Sequence, residues 1–271
     1  MDVKVLGPLE AHENGRSITP TAGKPRQVLA LLALQAGHVM TVSALIEELW
    51  GMQPPRSALT TLQTYILQLR RRIESALGES RPGGAKEILK TRYGGYMLNV
   101  SPDSVDVCTY ERLAAAGNRA IELGDHQNAA RLLHSALDVW RGPVLVDVQI
   151  GMVLGAEVAR LEESRLGVLE ARIDADLHLG RHNSLLAELA ALTTRHPMNE
   201  NLCAQYMIAL YRAGRQWRAL DAFGALRRAL VDELGVEPSA RIQCLQRAIL
   251  NSDANLDESP SRDTWQQQLV S

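Results

Sequence analysis

Residues 60–74 read TTLQTYILQLRRRIE, and their spacing separates two faces. Leu62, Ile66, Leu69 and Ile73 recur every three or four residues, so a helix aligns them as one apolar stripe. At roughly 100° per residue, Thr60, Thr64, Leu67, Gln68 and Arg71 fall within about 60° of the direction pointing away from that stripe. Glu and Lys suit a merely wetted helix face better than Thr and Gln do. Thr and Gln suit base edges, because a Gln amide pairs with adenine through two hydrogen bonds and a Thr methyl meets a thymine methyl. Arginines suit phosphate or guanine. The plain alternative is a polar face that only meets solvent.

The surrounding sequence gives this helix its setting. VKVLGPLE and GRSI flank Asn14-Gly15, a strong hairpin-turn signal, so the chain opens on short strands. Lys24-Pro25-Arg26 starts a helix whose stripe is QVLALLALQAG, ending on glycine. Thr41 is placed to cap VSALIEELWG, with Leu45, Ile46, Leu49 and Trp50 as its buried face. MQPPR breaks the chain, Ser57 is the expected N-cap of the next helix, and that helix runs to about Leu77, burying Leu59, Leu62, Ile66 and Leu69. EILKTRYGGYMLNV then reads as two short strands around Tyr93-Gly94-Gly95.

Sheet, three helices, then a hairpin is the order of a winged helix-turn-helix, with the third helix as the recognition helix and the last hairpin as the wing. Thr64, Gln68 and Arg71 are then the candidates for base edges, and Thr60, Tyr65, Leu67 and Arg70 for the DNA backbone. Lys90 and Arg92 stand two apart on one strand, hence on one side of it, beside Tyr93 at a glycine-rich tip. Charge agrees with a polyanion partner for this half: residues 1–100 carry a net +4 and the remainder −6, although the whole chain is only −2.

These blocks carry a family resemblance. ALIEELWG (44–51), LQTYILQLRRRI (62–73) and TRYGGYML (91–98) resemble the OmpR-type winged-helix domain. Together with GKPRQVLALLALQAG (23–37), PPRSALTTLQTYILQLRRRI (54–73) and SVDVCTYERL (104–113), they resemble the Streptomyces antibiotic regulatory protein family over roughly residues 1–250. The resemblance implies a pathway-specific activator of antibiotic or secondary-metabolite biosynthesis. Such a protein binds double-stranded promoter DNA at direct repeats near the minus-35 element and recruits RNA polymerase holoenzyme. It also implies base-facing positions at Thr64 and Gln68, backbone positions at Thr60, Tyr65, Arg70 and Arg71, and a minor-groove role for Arg92. Direct repeats imply two head-to-tail protomers on DNA. Leu67 and Gln68 stand where related winged helices often carry arginines, so base preference does not transfer. No phosphoacceptor receiver segment precedes the winged helix, so phosphorylation control by that route is not expected.

From Tyr110 onward the chain turns helical. LGDHQNAARLLHSAL, LGRHNSLLAELAAL and AGRQWRALDAFGAL share a plan: a helix ending in glycine, a polar turn, then an Ala/Leu helix. Gly180 and Gly214 are 34 apart, the tetratricopeptide period, whereas Gly124 and Gly180 are 56 apart. RGPVLVDVQIGMVLG and a long helix from about Ala156 to Leu179 fill that longer interval. The expected architecture is thus an α+β winged helix-turn-helix over residues 1–100, then an all-α tetratricopeptide-like domain over 101–251. By resemblance the latter is the bacterial transcriptional activator domain. Residues 252–271 are expected to form a disordered tail. Stacked helix pairs offer a concave surface for a partner, so an adaptor whose winged helix docks protein is the competing reading.

Other classes find little support. No nucleotide-binding glycine loop, HExxH or CxxC pattern occurs, so no enzyme and no cofactor or metal is expected. His178 and His182 straddle the Gly180 turn instead of sharing a helix face. Cys108, Cys203 and Cys244 are an odd, scattered set that reads as buried reduced thiols of a cytoplasmic protein. No apolar run approaches the roughly 20 residues a membrane-spanning helix needs.

Overall fold

The structure, a computed structural model, describes residues 1–78, 83–253 and 256. Most of the tail expected over 252–271 therefore lies outside the described residues. The described residues form two compact units: residues 1–115 with 135–167, and residues 116–134 with the described residues from Val168 on.

The first unit begins with strands β1 (Asp2–Lys4), β2 (Glu10–Glu13) and β3 (Arg16–Ser17), an antiparallel sheet in that order. The β2–β3 turn is Asn14-Gly15, with φ of 49° and 74°, the left-handed pair that a two-residue hairpin requires. Helices α1 (Gly23–Leu34), α2 (Val42–Trp50) and α3 (Ala58–Leu77) follow, with β4 (Met40–Thr41) between the first two. Thr41 caps α2, its hydroxyl accepting the Ala44 amide at 3.2 Å. A short helix α4 (Gly84–Ile88), not anticipated, leads into β5 (Leu89–Arg92) and β6 (Gly95–Leu98). The second sheet is antiparallel in the order β4-β6-β5, with Lys90 opposite Met97 and Arg92 opposite Gly95.

The stripe on α3 closes the core. Leu62, Ile66, Leu69 and Ile73 are all buried, together with Leu31, Leu45 and Leu98. Leu59 departs from expectation and is 50% exposed, while Ala58 is buried. The helix starts at Ala58, so the buried stripe runs 58, 62, 66, 69, 73, and Leu59 lies one residue off it on the first turn. Ser57 occupies the N-cap position without a side-chain cap bond.

A second set of contacts in this unit comes from beyond residue 100. Asp106 begins helix α5 (Asp106–Glu122), and its carboxylate accepts the amides of Val5 at 2.9 Å and Leu6 at 3.0 Å. Asp147 accepts the Leu9 amide at 2.8 Å and pairs with Arg26. Arg141 donates to Glu10 at 2.8 Å and to the Pro8 carbonyl at 2.9 Å. Glu48 of α2, 3% exposed, accepts the amides of Gly151 at 2.7 Å and of Val153 and Leu154 at 2.9 Å. These are first-turn donors of helix α7 (Met152–His178), so a carboxylate distant in sequence caps that helix and meets its positive dipole end. The helix begins earlier than its composition suggests because this cap lies at Gly151.

In the second unit the three glycine turns are the same structure. Gly124, Gly180 and Gly214 have φ of 73°, 72° and 70°. In each, the amide after the glycine bonds back to the helix: Asp125 to the Ala120 carbonyl at 2.9 Å, Arg181 to Asp176 at 3.0 Å, Arg215 to Leu210 at 2.9 Å. This is the Schellman closure, which needs a left-handed residue after the helix and so selects glycine. The turns introduce α6 (His126–Leu137), α8 (His182–Arg195) and α10 (Gln216–Leu234). Helices α8 and α10 each pack along α9 (Glu200–Arg212), and α11 (Ala240–Leu250) follows. Leu185, Leu189, Leu202, Met207, Phe223, Leu226, Leu230 and Ile249 are buried between them.

Cys203 is buried and free, while Cys108 and Cys244 are free and only half-buried. His178 stacks on His126 with ring centroids 4.1 Å apart. Among the described residues no three His, Cys, Asp or Glu side chains group as a metal would need, and no helix is long and apolar enough to cross a membrane.

Candidate nucleic-acid interface

With its stripe locked inward, α3 presents a defined outer surface. Thr60, Thr64, Leu67, Gln68 and Arg71 are all exposed, Leu67 at 48%. Their chemistry differs. The Thr64 hydroxyl donates to the Thr60 carbonyl at 3.0 Å, so toward solvent it offers a methyl group and an acceptor. Gln68 and Arg71 make no side-chain hydrogen bond among the described residues, so an amide and a guanidinium stand free one turn apart.

Three consecutive arginines have three different fates. Arg71 points outward. Arg72 reaches the Thr19 carbonyl at 3.4 Å. Arg70 donates through Nε and Nη2 to the Leu89 carbonyl, at 3.0 and 2.7 Å, and through Nη2 to the Thr91 hydroxyl at 2.8 Å. Its guanidinium therefore braces α3 against the first strand of the wing, a role the sequence did not distinguish from a backbone contact. Tyr65 is half-buried and stacks on Trp50 at 6.5 Å between centroids, while Lys24 lies over the same indole at 5.2 Å. The Tyr65 ring is thus fixed by α2, at the edge of the exposed face.

The wing follows from the β5–β6 register. Tyr93 at its tip is fully exposed and Arg92 is exposed with no side-chain partner among the described residues. Lys90, on the same side of β5, is half-buried and pairs with Glu87 at 3.2 Å. So Arg92 is the freer cation of the two. Glu74 of α3 accepts the Ala85 amide at 2.6 Å, which fixes α4 and hence the start of β5. Helix and wing are held together by Arg70 at one point and Glu74 at another. The surface they form combines a free amide, a free guanidinium and a second guanidinium on the wing.

Two of the supporting residues escaped the sequence reading. Glu48 sits among Leu45, Leu49 and Trp50, and its only sequence signal is an acid falling within the apolar face of α2. Arg70 carries no signal that separates it from its two neighbours.

Comparison with known proteins agrees with this architecture. A family profile described as "Transcriptional regulatory protein, C terminal" matches residues 16–98, and one described as "Bacterial transcriptional activator domain" matches residues 105–250. Regulatory protein DnrI of Streptomyces peucetius is 62% identical over 259 residues, covering 96% of this chain and 95% of that protein. The chain belongs to the Streptomyces antibiotic regulatory protein family. Regulatory protein AfsR of Streptomyces coelicolor is 39% identical across 94% of this chain, which spans 24% of AfsR. A solved structure of Mycobacterium tuberculosis EmbR in complex with a low-affinity phosphopeptide superposes with a TM-score of 0.87. It is 29% identical, covering 99% of this chain and 70% of that one. As a member of this antibiotic regulatory family, the protein is a transcriptional regulator joining a winged helix to an activator domain.

Proposed function

We propose that the protein activates antibiotic-biosynthesis promoters from the cytoplasm, binding duplex DNA at direct repeats near the minus-35 element and recruiting RNA polymerase holoenzyme. Residues 1–100 hold the DNA and residues 101–251 serve activation; no catalytic step and no cofactor is involved. The observation that carries the reading is the free Gln68 amide and Arg71 guanidinium, one turn apart on a helix whose opposite stripe is buried, beside the unpaired Arg92 of the wing. Thr64, Gln68 and Arg71 meet base edges. Thr60, Tyr65 and Leu67 lie along the backbone, and Arg92, Tyr93 and Lys90 follow the adjacent groove. Arg70 shares the backbone edge through whatever donor its brace leaves over. A direct repeat is matched by two protomers in head-to-tail order, because a heterologous contact repeats without a two-fold axis.

Footprinting on a tandem-repeat promoter, with and without polymerase, tests this. The expected pattern is two protected half-sites in the same orientation, about one helical turn apart or a multiple of it, with protection extended when polymerase is added. Protection with inverted half-sites would refute the head-to-tail arrangement. Unchanged occupancy of polymerase would refute recruitment.

A further inference from the structure

The outer face of α3 carries a leucine that the core does not use. Leu67 is 48% exposed and lies opposite the buried stripe, whereas Leu59, also exposed on this helix, stands one residue off that stripe. A single exposed leucine is ordinary on a protein surface, but the setting of this one is not. Thr64, three residues earlier, is its neighbour on the helix surface, and the Thr64 hydroxyl has spent its proton on the Thr60 carbonyl at 3.0 Å. Thr60 makes no side-chain hydrogen bond among the described residues, so its own hydroxyl stays available. The Thr64 methyl and the Leu67 side chain therefore form a short apolar strip on a face otherwise built of Thr60, Gln68 and Arg71.

Beside a duplex that strip has a narrow choice of partner. The exposed guanidiniums of Arg71 and Arg92, without side-chain partners among the described residues, draw a polyanion to this face. A leucine pressed on a phosphate would displace water from an anion and return no hydrogen bond, a net cost. The base edges of the major groove are donors and acceptors, with one apolar group among them, the C5 methyl of thymine. That methyl projects toward the sugar-phosphate side of the groove, within reach of a residue that runs along the backbone edge.

We propose that Leu67 and the Thr64 methyl read the C5 methyl groups of two thymines, so that this face selects thymine by apolar contact where Gln68 selects its base by hydrogen bonds. Thr64 then gives no donor to a base, and its bond to Thr60 serves to aim the methyl. Side chains three apart on a helix have Cβ atoms about 5–6 Å apart, against a rise of about 3.4 Å per base pair. The two methyls therefore belong to base pairs one or two steps apart. The inference deepens the DNA-binding half of the function proposed above and rests on it for the duplex; it adds the chemical feature that Leu67 recognises.

For the test, a random duplex pool is enriched on the full chain. The most frequent duplex is resynthesised with deoxyuridine for each thymidine in turn, which removes one methyl and keeps the base pairing. Fluorescence anisotropy gives the affinities. Uracil is expected to weaken binding about fourfold at each of two thymines in a half-site, the effect of one buried carbon, and to change little elsewhere. Leu67→Ala should abolish the uracil effect at one of the two. Thr64→Ser, which keeps the hydroxyl bond and drops the methyl, should abolish it at the other. Both positions are exposed, so both variants should melt as the wild type does by circular dichroism. Failure of any duplex to be enriched or bound would overturn the DNA-binding reading and this inference with it. A bound duplex indifferent to uracil at every thymine would overturn the inference alone. So would a uracil effect that survives in both variants, because other side chains would then read the methyls. An equal loss on thymine and uracil duplexes in Leu67→Ala would overturn it too, since packing on deoxyribose gives that result.

Discussion

Replacing Glu48 by alanine is the perturbation whose cost the structure specifies most closely. The carboxylate accepts from Gly151, Val153 and Leu154 and, at 2.8 Å, from the Gln27 amide. Leu154 and Gln27 are buried, at 0% and 1% exposure, so water cannot readily take over. A buried donor left unpaired costs about 1–3 kcal/mol, so the Leu154 and Gln27 donors together put the loss at about 2–6 kcal/mol. Gly151 is itself fixed by this close approach, since a Cβ there would stand 2.4 Å from the Glu48 carbonyl oxygen. With roughly 2–4 °C lost per kcal/mol in a chain of this size, the thermal midpoint should fall by on the order of 10 °C. Glu48→Gln keeps one acceptor oxygen and should cost about half as much. Circular dichroism melting gives the midpoint, and amide hydrogen exchange at Val153 and Leu154 locates the damage. A loss under about 1 kcal/mol, or unaltered protection at Leu154, would refute the claim that this carboxylate holds the start of α7.

Other outcomes follow from the interface and from the second unit. Gln68→Ala should weaken specific binding by about 1–3 kcal/mol and relax preference at one base pair, seen by gel shift on a set of single-base operator variants. Arg71→Ala, if the guanidinium meets phosphate, should reduce the slope of log affinity against log salt by about one. Arg70→Ala should displace the wing, so its effect on DNA affinity should overlap with that of Arg92→Ala. A double-mutant cycle should then show a coupling of about 0.5–3 kcal/mol, and strict additivity would remove the brace. His126 has its pKa lowered, first by burial and then by the neighbouring His178, against the pull of Asp174 and Asp125. The folded state therefore disfavours the charged ring. The stability this provides is complete above the ordinary value of 6.5 and is lost as pH falls through it toward the lower folded value. The urea midpoint should thus drop less between pH 7.5 and 5 in His126→Asn than in the wild type.

What sequence alone reveals depends on whether a signal repeats. The α3 stripe recurs four times and the glycine turns three times, so periodicity placed both. The wing turn at Tyr93-Gly94 and the hairpin at Asn14-Gly15 were legible because few residues other than glycine and asparagine adopt left-handed backbone. Leu59 was misplaced because a stripe has no defined phase until the first helical residue is known. The five residues of α4 are too few to show a period at all. Glu48 and Arg70 were illegible for another reason: each acts on a group far along the chain. A buried acid at the end of a helix and an arginine beside two others look like surface residues until the partner is in place. The candidate interface divides the same way. Its exposed members follow from the geometry of one helix, and the residues that aim it do not.

The carboxylates of Asp106 and Asp147 and the guanidinium of Arg141 have a consequence for how this protein can be cut. A fragment ending at residue 100 would strip Val5, Leu6 and Leu9 of their acceptors and leave Glu48 with the Gln27 amide but without its three backbone donors. The smallest piece fit to travel between genes is therefore larger than a winged helix and includes the stretch around residues 135–167. That AfsR matches 94% of this chain within a quarter of its own length is what such indivisible cargo would leave behind.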